Sequence, residues 1–245
     1  MQSAPLSGFP HENGVKVVSR CVLKVVDGDW PFAETFAAEI DAHWQKSSAS
    51  NPSYFNGVVH LIADVRTAGN EIHADLIRTD FKSYLYWRSL GFPDAGVIDG
   101  FGSALIRSSD GQYMLVLQRA GNVNHGFAYL PSGFIDEQDI LPDGSIDISR
   151  SVAREIDEEI GEAGASLRRE DGIIVTRSGA QLCFAVPFYL PETAAEFVAG
   201  VEAHNAASDD PELEGVVPVG HLEDLAPLKI LPHARLLLEA LLVAR

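Results

Sequence analysis

Residues 131–139, Pro-Ser-Gly-Phe-Ile-Asp-Glu-Gln-Asp, and 151–162, Ser-Val-Ala-Arg-Glu-Ile-Asp-Glu-Glu-Ile-Gly-Glu, frame a strongly acidic stretch. From Asp136 to Glu162 there are ten carboxylates, Asp136, Glu137, Asp139, Asp143, Asp147, Glu155, Asp157, Glu158, Glu159 and Glu162, against two cations, Arg150 and Arg154. Ile148, Val152, Ile156 and Ile160 recur every fourth residue without Gly or Pro between them, which predicts a helix over Ile148–Ile160 capped by Asp147 or Ser149. At about 100° per residue, Glu155, Glu158 and Glu159 then share one arc of that helix, offset from the apolar arc. Like charges at this spacing cost a few tenths of a kcal/mol each when exposed, and more beside a sheet. A divalent cation would offset the repulsion, because hard carboxylate oxygens suit Mg²⁺ or Mn²⁺. A solvated acidic face has the same spacing, so the residues alone leave both readings open.

Outward from this helix, strands and helices alternate in a mixed α/β pattern. Upstream, Val97–Arg107 and Tyr113–Arg119 read as strands joined by Ser109-Asp110-Gly111, a hairpin turn whose Gly tolerates positive φ. Downstream come strands at Gly172–Arg177, Gln181–Leu190 and Gly215–Val219, a helix beginning near Pro191 and another around Ala234–Val243. Before residue 91 the pattern is a small α+β unit. It holds strands at Cys21–Val26, Val58–Asp64 and His73–Thr79, a helix from Pro31 to about Lys46 and a short aromatic helix at Asp80–Arg88. Phe32, Phe36, Ile40 and Trp44 mark the core stripe of the first helix. Breakers concentrate in Gly91-Phe92-Pro93-Asp94-Ala95-Gly96, which places the domain join there, giving units 1–92 and 93–245.

The 245 residues are 46% hydrophobic and 22% charged, as in soluble globular proteins, and no apolar run approaches the ~18–20 residues of a membrane span. A net charge of −17 has the wrong sign for tracking a long nucleic acid. Cys21 and Cys183 are too few for a disulfide framework or a four-cysteine zinc site. The start, Met-Gln-Ser-Ala-Pro, lacks the features of a secretory signal, so a cytoplasmic location is expected. Gly100-Phe101-Gly102-Ser103 lacks the third Gly of a dinucleotide fingerprint, and there is no phosphate loop or nucleophile elbow. The eight histidines have no zinc-binding spacing; a place near a pocket is open to His125 and His233, but a hydrogen-bonded or exposed side chain is the first reading of each.

Arg154-Glu155-Ile156-Asp157-Glu158-Glu159-Ile160-Gly161 resembles the core of the box that defines the Nudix hydrolase superfamily, and Pro131-Ser132-Gly133 resembles its opening Pro-Gly-Gly. The resemblance covers roughly Val97–Arg245 and implies a Nudix-type α/β/α sandwich with a mixed β-sheet after the small α+β unit. It departs from the pattern in two places. Fourteen residues (Ile140–Ala153) stand where the family has seven, and Glu162 follows the Gly where the family has an apolar residue. The longer loop, with Leu141-Pro142-Asp143-Gly144, is expected to bulge into solvent without moving the helix. Either Asp139 or Asp147 is then the partner of Arg154.

By matched position, the resemblance implies that Glu155, Glu158 and Glu159, with the main-chain carbonyl of Gly133, hold Mg²⁺ or Mn²⁺, and that Arg154 orients the carboxylates. The implied reaction is hydrolysis of a nucleoside diphosphate linked to a further group. The base is Glu158 or Glu159, or a residue of the later acidic loop Asp209–Glu214, where Glu214 is the candidate because a strand comes directly after it. Asn51-Pro52, Phe55-Asn56-Gly57 and Asp80-Phe81 followed by Tyr84 resemble the pre-Nudix domain of the UDP-glucose/UDP-galactose-hydrolysing branch, which also has an enlarged box loop. That implies a UDP-sugar or related nucleotide sugar as substrate, with Arg119 and Arg177 as candidate phosphate or uracil contacts. ADP-ribose, a dinucleoside polyphosphate, or a non-catalytic ligand sensor are the alternatives. The NADH-cleaving branch's zinc ribbon cannot be built from two cysteines. A homodimer is the expectation from the superfamily, and a membrane partner is not.

Overall fold

The computed structural model of the chain describes residues 9–208 and 211–244. The N-terminal half runs β1 (Gly14–Val18), β2 (Arg20–Val25), α1 (Pro31–Thr35), α2 (Ala37–Ser50), β3 (Val58–Ala68), β4 (Glu71–Asp80) and α3 (Phe81–Ser89). Pro31 opens α1 at a position that needs no backbone donor, and Asp80 caps α3 by accepting from the Ser83 N–H at 3.0 Å. The one helix expected from Pro31 to Lys46 is two. Phe36, at φ −107° and ψ 24°, interrupts it, and the second helix continues to Ser50. The kink lets the rings of both Phe32 and Phe36 lie about Tyr86, each at 6.1 Å. Of the expected core stripe, Ile40 alone is fully buried.

The C-terminal half runs β5 (Asp99–Ser108), β6 (Tyr113–Gln118), β7 (Ala128–Tyr129), β8 (Ser132–Phe134), β9 (Ser145–Ile146), α4 (Ile148–Glu159), β10 (Arg168–Arg169), β11 (Ile173–Ser178), β12 (Gln181–Leu190), α5 (Ala194–Ala207), β13 (Leu213–Val219) and α6 (Pro232–Val243). The larger sheet has the order β1-β11-β12-β5-β6-β13, with β10 on β12, β7 on β6 and β8 on β5. It is mixed: β12 and β5 are parallel from Gln181 opposite Asp99 to Leu190 opposite Ser108, and β11 and β12 are antiparallel. Gly111, at φ 85°, supplies the turn between β5 and β6. The two strands pair at Arg107 and Tyr113 and then part, and β7 and β8 fill the opening. This mouth receives the carboxylates.

Helices cover both faces of the sheet. A Cβ on Gly102 would meet Val152 of α4 at 2.6 Å, whereas the neighbouring Phe101 ring lies 4.8 Å from His233 of α6. Successive residues of a strand point to opposite faces, so α4 and α6 flank the sheet in an α/β/α sandwich. The smaller sheet has the order β3-β4-β2-β9. Two strands cross the proposed join at residues 91–96: β1 pairs with β11 of the larger sheet, and β9 with β2 of the smaller.

That second exchange corrects one expectation. The enlarged loop does not bulge into solvent. Ser145 and Ile146 pair with Lys24 and Leu23, and Ile146 is buried with Leu23, Leu76 and Ile148. The unpaired edge of β2 and the apolar Ile140 and Ile146 at the two ends of the insertion make docking more favourable than exposure. Ile146→Ala is expected to cost about 2–4 kcal/mol in urea unfolding. A loop free in solvent would tolerate the change without measurable loss.

Candidate active site

The site is organised by how closely α4 approaches the sheet. Asp147 caps the helix, accepting from the N–H groups of Ser149 at 3.0 Å and Arg150 at 3.2 Å. Gly102 seats Val152 and Ile148. Opposite Gly102 in the next strand is Gly133, where an added Cβ would lie 2.0 Å from the carboxyl carbon of Glu155. The opening Gly of the acidic stretch is therefore needed for space. Its missing side chain is occupied by a carboxylate.

Glu155, Glu158 and Glu159 are arranged by depth. Glu158 is half-exposed, Glu155 is mostly covered, and Glu159 is 2% exposed. Arg154 stands among them: its Nη2 is 2.8 Å from Glu155 and 3.3 Å from Asp139, and its Nη1 is 3.0 Å from Glu158. Asp139 rather than Asp147 is thus the loop partner of Arg154. The same Asp139 oxygen accepts from Ser151 Oγ at 3.0 Å and from the Asp136 N–H at 3.1 Å, tying the loop to α4. Burial, followed by the charges of Glu158, Asp139 and Glu212, pushes Glu155 up to about 7 against the pull of Arg154. Burial, followed by Glu155 and Glu212, raises Glu159 well above the usual carboxylate range, although the Ser132 N–H donates to it. Glu159 Oε2 is buried without a hydrogen-bond partner.

These carboxylates open into a cavity of about 430 Å³, a size that holds a small organic ligand. Gly133, Glu155, Glu158 and Glu159 all line it. Arg119, Arg177 and Glu214 do not. Arg177 on β11 turns back to donate to Gly179 O at 2.6 Å. Arg119 donates to Pro211 O at 2.9 Å, and its N–H to Glu212 O at 3.2 Å, which braces the acidic loop. Glu212 is the member of that loop that lines the cavity; Glu214, within β13, does not. Asp209 and Asp210 lie outside the described residues.

Four further cavity residues belong to no motif in the sequence. Arg88 of α3 donates to Val123 O at 3.0 Å and Asn124 Oδ1 at 2.9 Å, bringing a cation from the N-terminal half. Asp99, Gln181 and His233 lie together at the ends of β5, β12 and α6. Burial lowers His233 to about 4 from an ordinary 6.5. Between those values the unfolded chain takes up a proton that the folded one refuses, so stability falls as pH drops from 6.5 to 4, by about 3 kcal/mol in all. Glu155 and Glu159 act with the opposite sign, gaining stability as they protonate over the same range, so the His233 loss is read as a difference: in urea unfolding at pH 7 and pH 4.5 the wild type should lose about 2–3 kcal/mol more than His233→Phe.

Among the described residues, no three His, Cys, Asp or Glu side chains stand together as a metal-holding cluster. Arg154 fills that place as the counter-charge. The donor chemistry nonetheless fits a hard divalent ion: carboxylate oxygens from α4, one of them buried and unpartnered on Glu159, face a strand that passes as bare backbone at Gly133.

No family model matches the sequence, and no curated protein matches it. Among solved structures, a Nudix hydrolase from M. smegmatis, RenU, is similar at 16% identity and a TM-score of 0.37, over 58% of this chain and 82% of that one. The MutT protein from Methanosarcina mazei Go1 is similar at 20% identity and a TM-score of 0.38, over 58% and 91%. A bifunctional NMN adenylyltransferase/ADP ribose pyrophosphatase from Francisella tularensis, complexed with AMP and a Mn ion, is similar at 17% identity and a TM-score of 0.39, over 65% and 46%. Likeness this partial decides neither fold nor activity. Both rest on the residues themselves. No helix among the described residues is long and apolar enough to cross a membrane.

Proposed function

We propose that the chain is a divalent-metal-dependent hydrolase of the pyrophosphate bond in a nucleoside diphosphate linked to a further group, with a UDP-sugar or related nucleotide sugar as its substrate. One observation carries this reading. Glu155, Glu158, Glu159 and Glu212 converge on a single ligand-sized cavity, and an oxygen of the deepest, Glu159, is buried with no partner. A structural role would not retain so costly a group, since buried carboxylates are normally paired or hydrogen-bonded. Glu155, Glu158 and Glu159, with the Gly133 carbonyl, would hold Mg²⁺ or Mn²⁺. When bound, such an ion neutralises pyrophosphate oxygens and makes an attacking water more acidic.

The chain's own groups supply the rest. Arg154 holds Glu155 and Glu158 in position, and Asp139 holds Arg154. Glu158, the most exposed of the trio, and Glu212, which lines the same cavity, are the groups within which we place the base that takes the water's proton. Among the described residues Arg88 is the Arg or Lys that lines the cavity, whereas Arg119 and Arg177, the candidates the sequence suggests, do not. Incubation with UDP-glucose, ADP-ribose, NADH and a dinucleoside polyphosphate, with a phosphatase-coupled readout in Mg²⁺ and in EDTA, tests the reading. The expected result is Mg²⁺-dependent release of a nucleoside monophosphate, fastest from the UDP-sugar and lost in Glu158→Gln and Glu159→Gln. A ligand sensor would turn over none of them.

A further inference from the structure

At the end of the cavity away from the carboxylates, five side chains form a hydrogen-bonded chain of fixed direction. Arg88 Nη1 donates to Tyr84 Oη at 3.5 Å, and Tyr84 Oη donates to Asp99 Oδ2 at 3.1 Å. The same Asp99 oxygen accepts from Gln181 Nε2 at 3.0 Å. Asp99 thereby orients the Gln181 amide, whose Oε1 then faces His233 Nδ1 at 3.3 Å. An amide oxygen only accepts, so Nδ1 carries the imidazole proton and Nε2 is left as a bare lone pair. His233 is 2% exposed, and its Nε2 has no partner. Its burial keeps the ring neutral near pH 7.

Aromatic rings stand beside this chain, and Gln118, Asn122 and Asn124 also line the cavity. The Phe101 ring lies 4.8 Å from His233, and Phe134, opposite Phe101 in register, lies 4.9 Å from Tyr84. Phe55 lines the same cavity yet is 78% exposed, a large ring held at the opening with nothing covering it. Along β5, Asp99 is three residues from Gly102, which pairs with Gly133 beside Glu155. At ~3.3 Å per residue that is about 10 Å, the span of a ribose and a base from a pyrophosphate.

We propose that this end of the cavity is a nucleobase subsite, in which His233 Nε2, fixed as an acceptor by the Arg88–Tyr84–Asp99–Gln181 chain, accepts an N–H of the base while Phe55 stacks on its face. Aromatic walls with one directed acceptor suit a planar N–H heterocycle, whereas a sugar would need a partner for each of several hydroxyls. This rests on the nucleotide reading and deepens it by assigning the base to the end shared with the N-terminal half.

Neutral nucleosides in EDTA separate the two ideas, because they carry no phosphate and need no metal. Uridine, adenosine and glucose would be titrated into the full-length protein and followed by saturation-transfer NMR. At least one nucleoside is expected to bind through its base protons, and glucose is not. His233→Phe should weaken that nucleoside about tenfold, the worth of one buried hydrogen bond, and His233→Gln, which restores an acceptor, should stay within about threefold. Phe55→Ala, at an exposed position that does not threaten folding, should weaken it at least about fivefold. The subsite is refuted if neither nucleoside binds, if His233→Phe and Phe55→Ala bind like wild type, or if glucose binds with the same dependence. Pyrophosphate hydrolysis could fail while nucleoside binding persists, and the reverse.

Discussion

Gly133→Ala is expected to lower turnover about 10²-fold while leaving unfolding free energy within about 0.5 kcal/mol of wild type. The added methyl would lie 2.0 Å from the Glu155 carboxyl carbon, closer than any real contact, so something must move. The group that moves is the end of a flexible side chain. The backbone of β8 and the seat of α4 keep their places, and the fold barely registers the change. Catalysis registers it fully, because a misplacement of about 1 Å in a reacting constellation is worth about two orders of magnitude. Gly102→Ala is the matched control. Its methyl would meet Val152 at 2.6 Å and Ile148 at 3.1 Å, core groups with nowhere to go, and should cost about 1–3 kcal/mol of stability. Urea unfolding and steady-state turnover of the two variants form the test. If Gly133→Ala turns over like wild type, Glu155 has no part in the chemistry, and if it destabilises as Gly102→Ala does, the carboxylate is not the group that yields.

That pair also marks how much the sequence reveals. The helix bearing the glutamates is readable because its apolar spacing, its Asp147 cap and its charged arc are local properties of one segment. The strands at Gln181–Leu190 and Tyr113–Gln118 are readable as short apolar runs between turn residues. Features that cannot be read depend on contacts between distant segments. The docking of Ile146 on β2 needs an open sheet edge more than a hundred residues earlier. Nothing in Glu212-Leu213-Glu214 says which glutamate lines the cavity, because the two flank the buried Leu213 alike and only the path of the chain past α4 brings Glu212 to it. Arg119 and Arg177 end the strands expected from the sequence, which suggests a rim position, but each turns to a backbone carbonyl and neither lines the cavity. His233 has an ordinary neighbourhood in sequence, and its position beside Gln181 arises only when α6 packs at the ends of β5 and β12.

Glu159→Gln should separate stability from activity most sharply. In Mg²⁺ the variant is expected to lose about 10²–10⁴-fold in turnover, the range for removing a group that acts on proton and charge at the reacting centre. In EDTA the same variant should melt higher than wild type, by at least ~2 °C. The reason lies in the environment of the side chain. Glu159 is 2% exposed, its Oε2 has no partner, and Glu155 and Glu212 add like charge, against which the Ser132 N–H favours the ionised form. Gln keeps the shape and removes the charge that burial penalises. Mg²⁺ should narrow or reverse the gap, because an ion held by the wild type alone stabilises the wild type alone. Thermal unfolding of both proteins, with EDTA and across a Mg²⁺ series, reads this out beside turnover. A variant that melts lower in EDTA would mean that Glu159 supports the fold, and one that retains turnover would remove it from the site. A gain in stability with a loss of activity and a magnesium-dependent crossover is the behaviour of a carboxylate kept at a cost to the fold because an ion and a pyrophosphate use it.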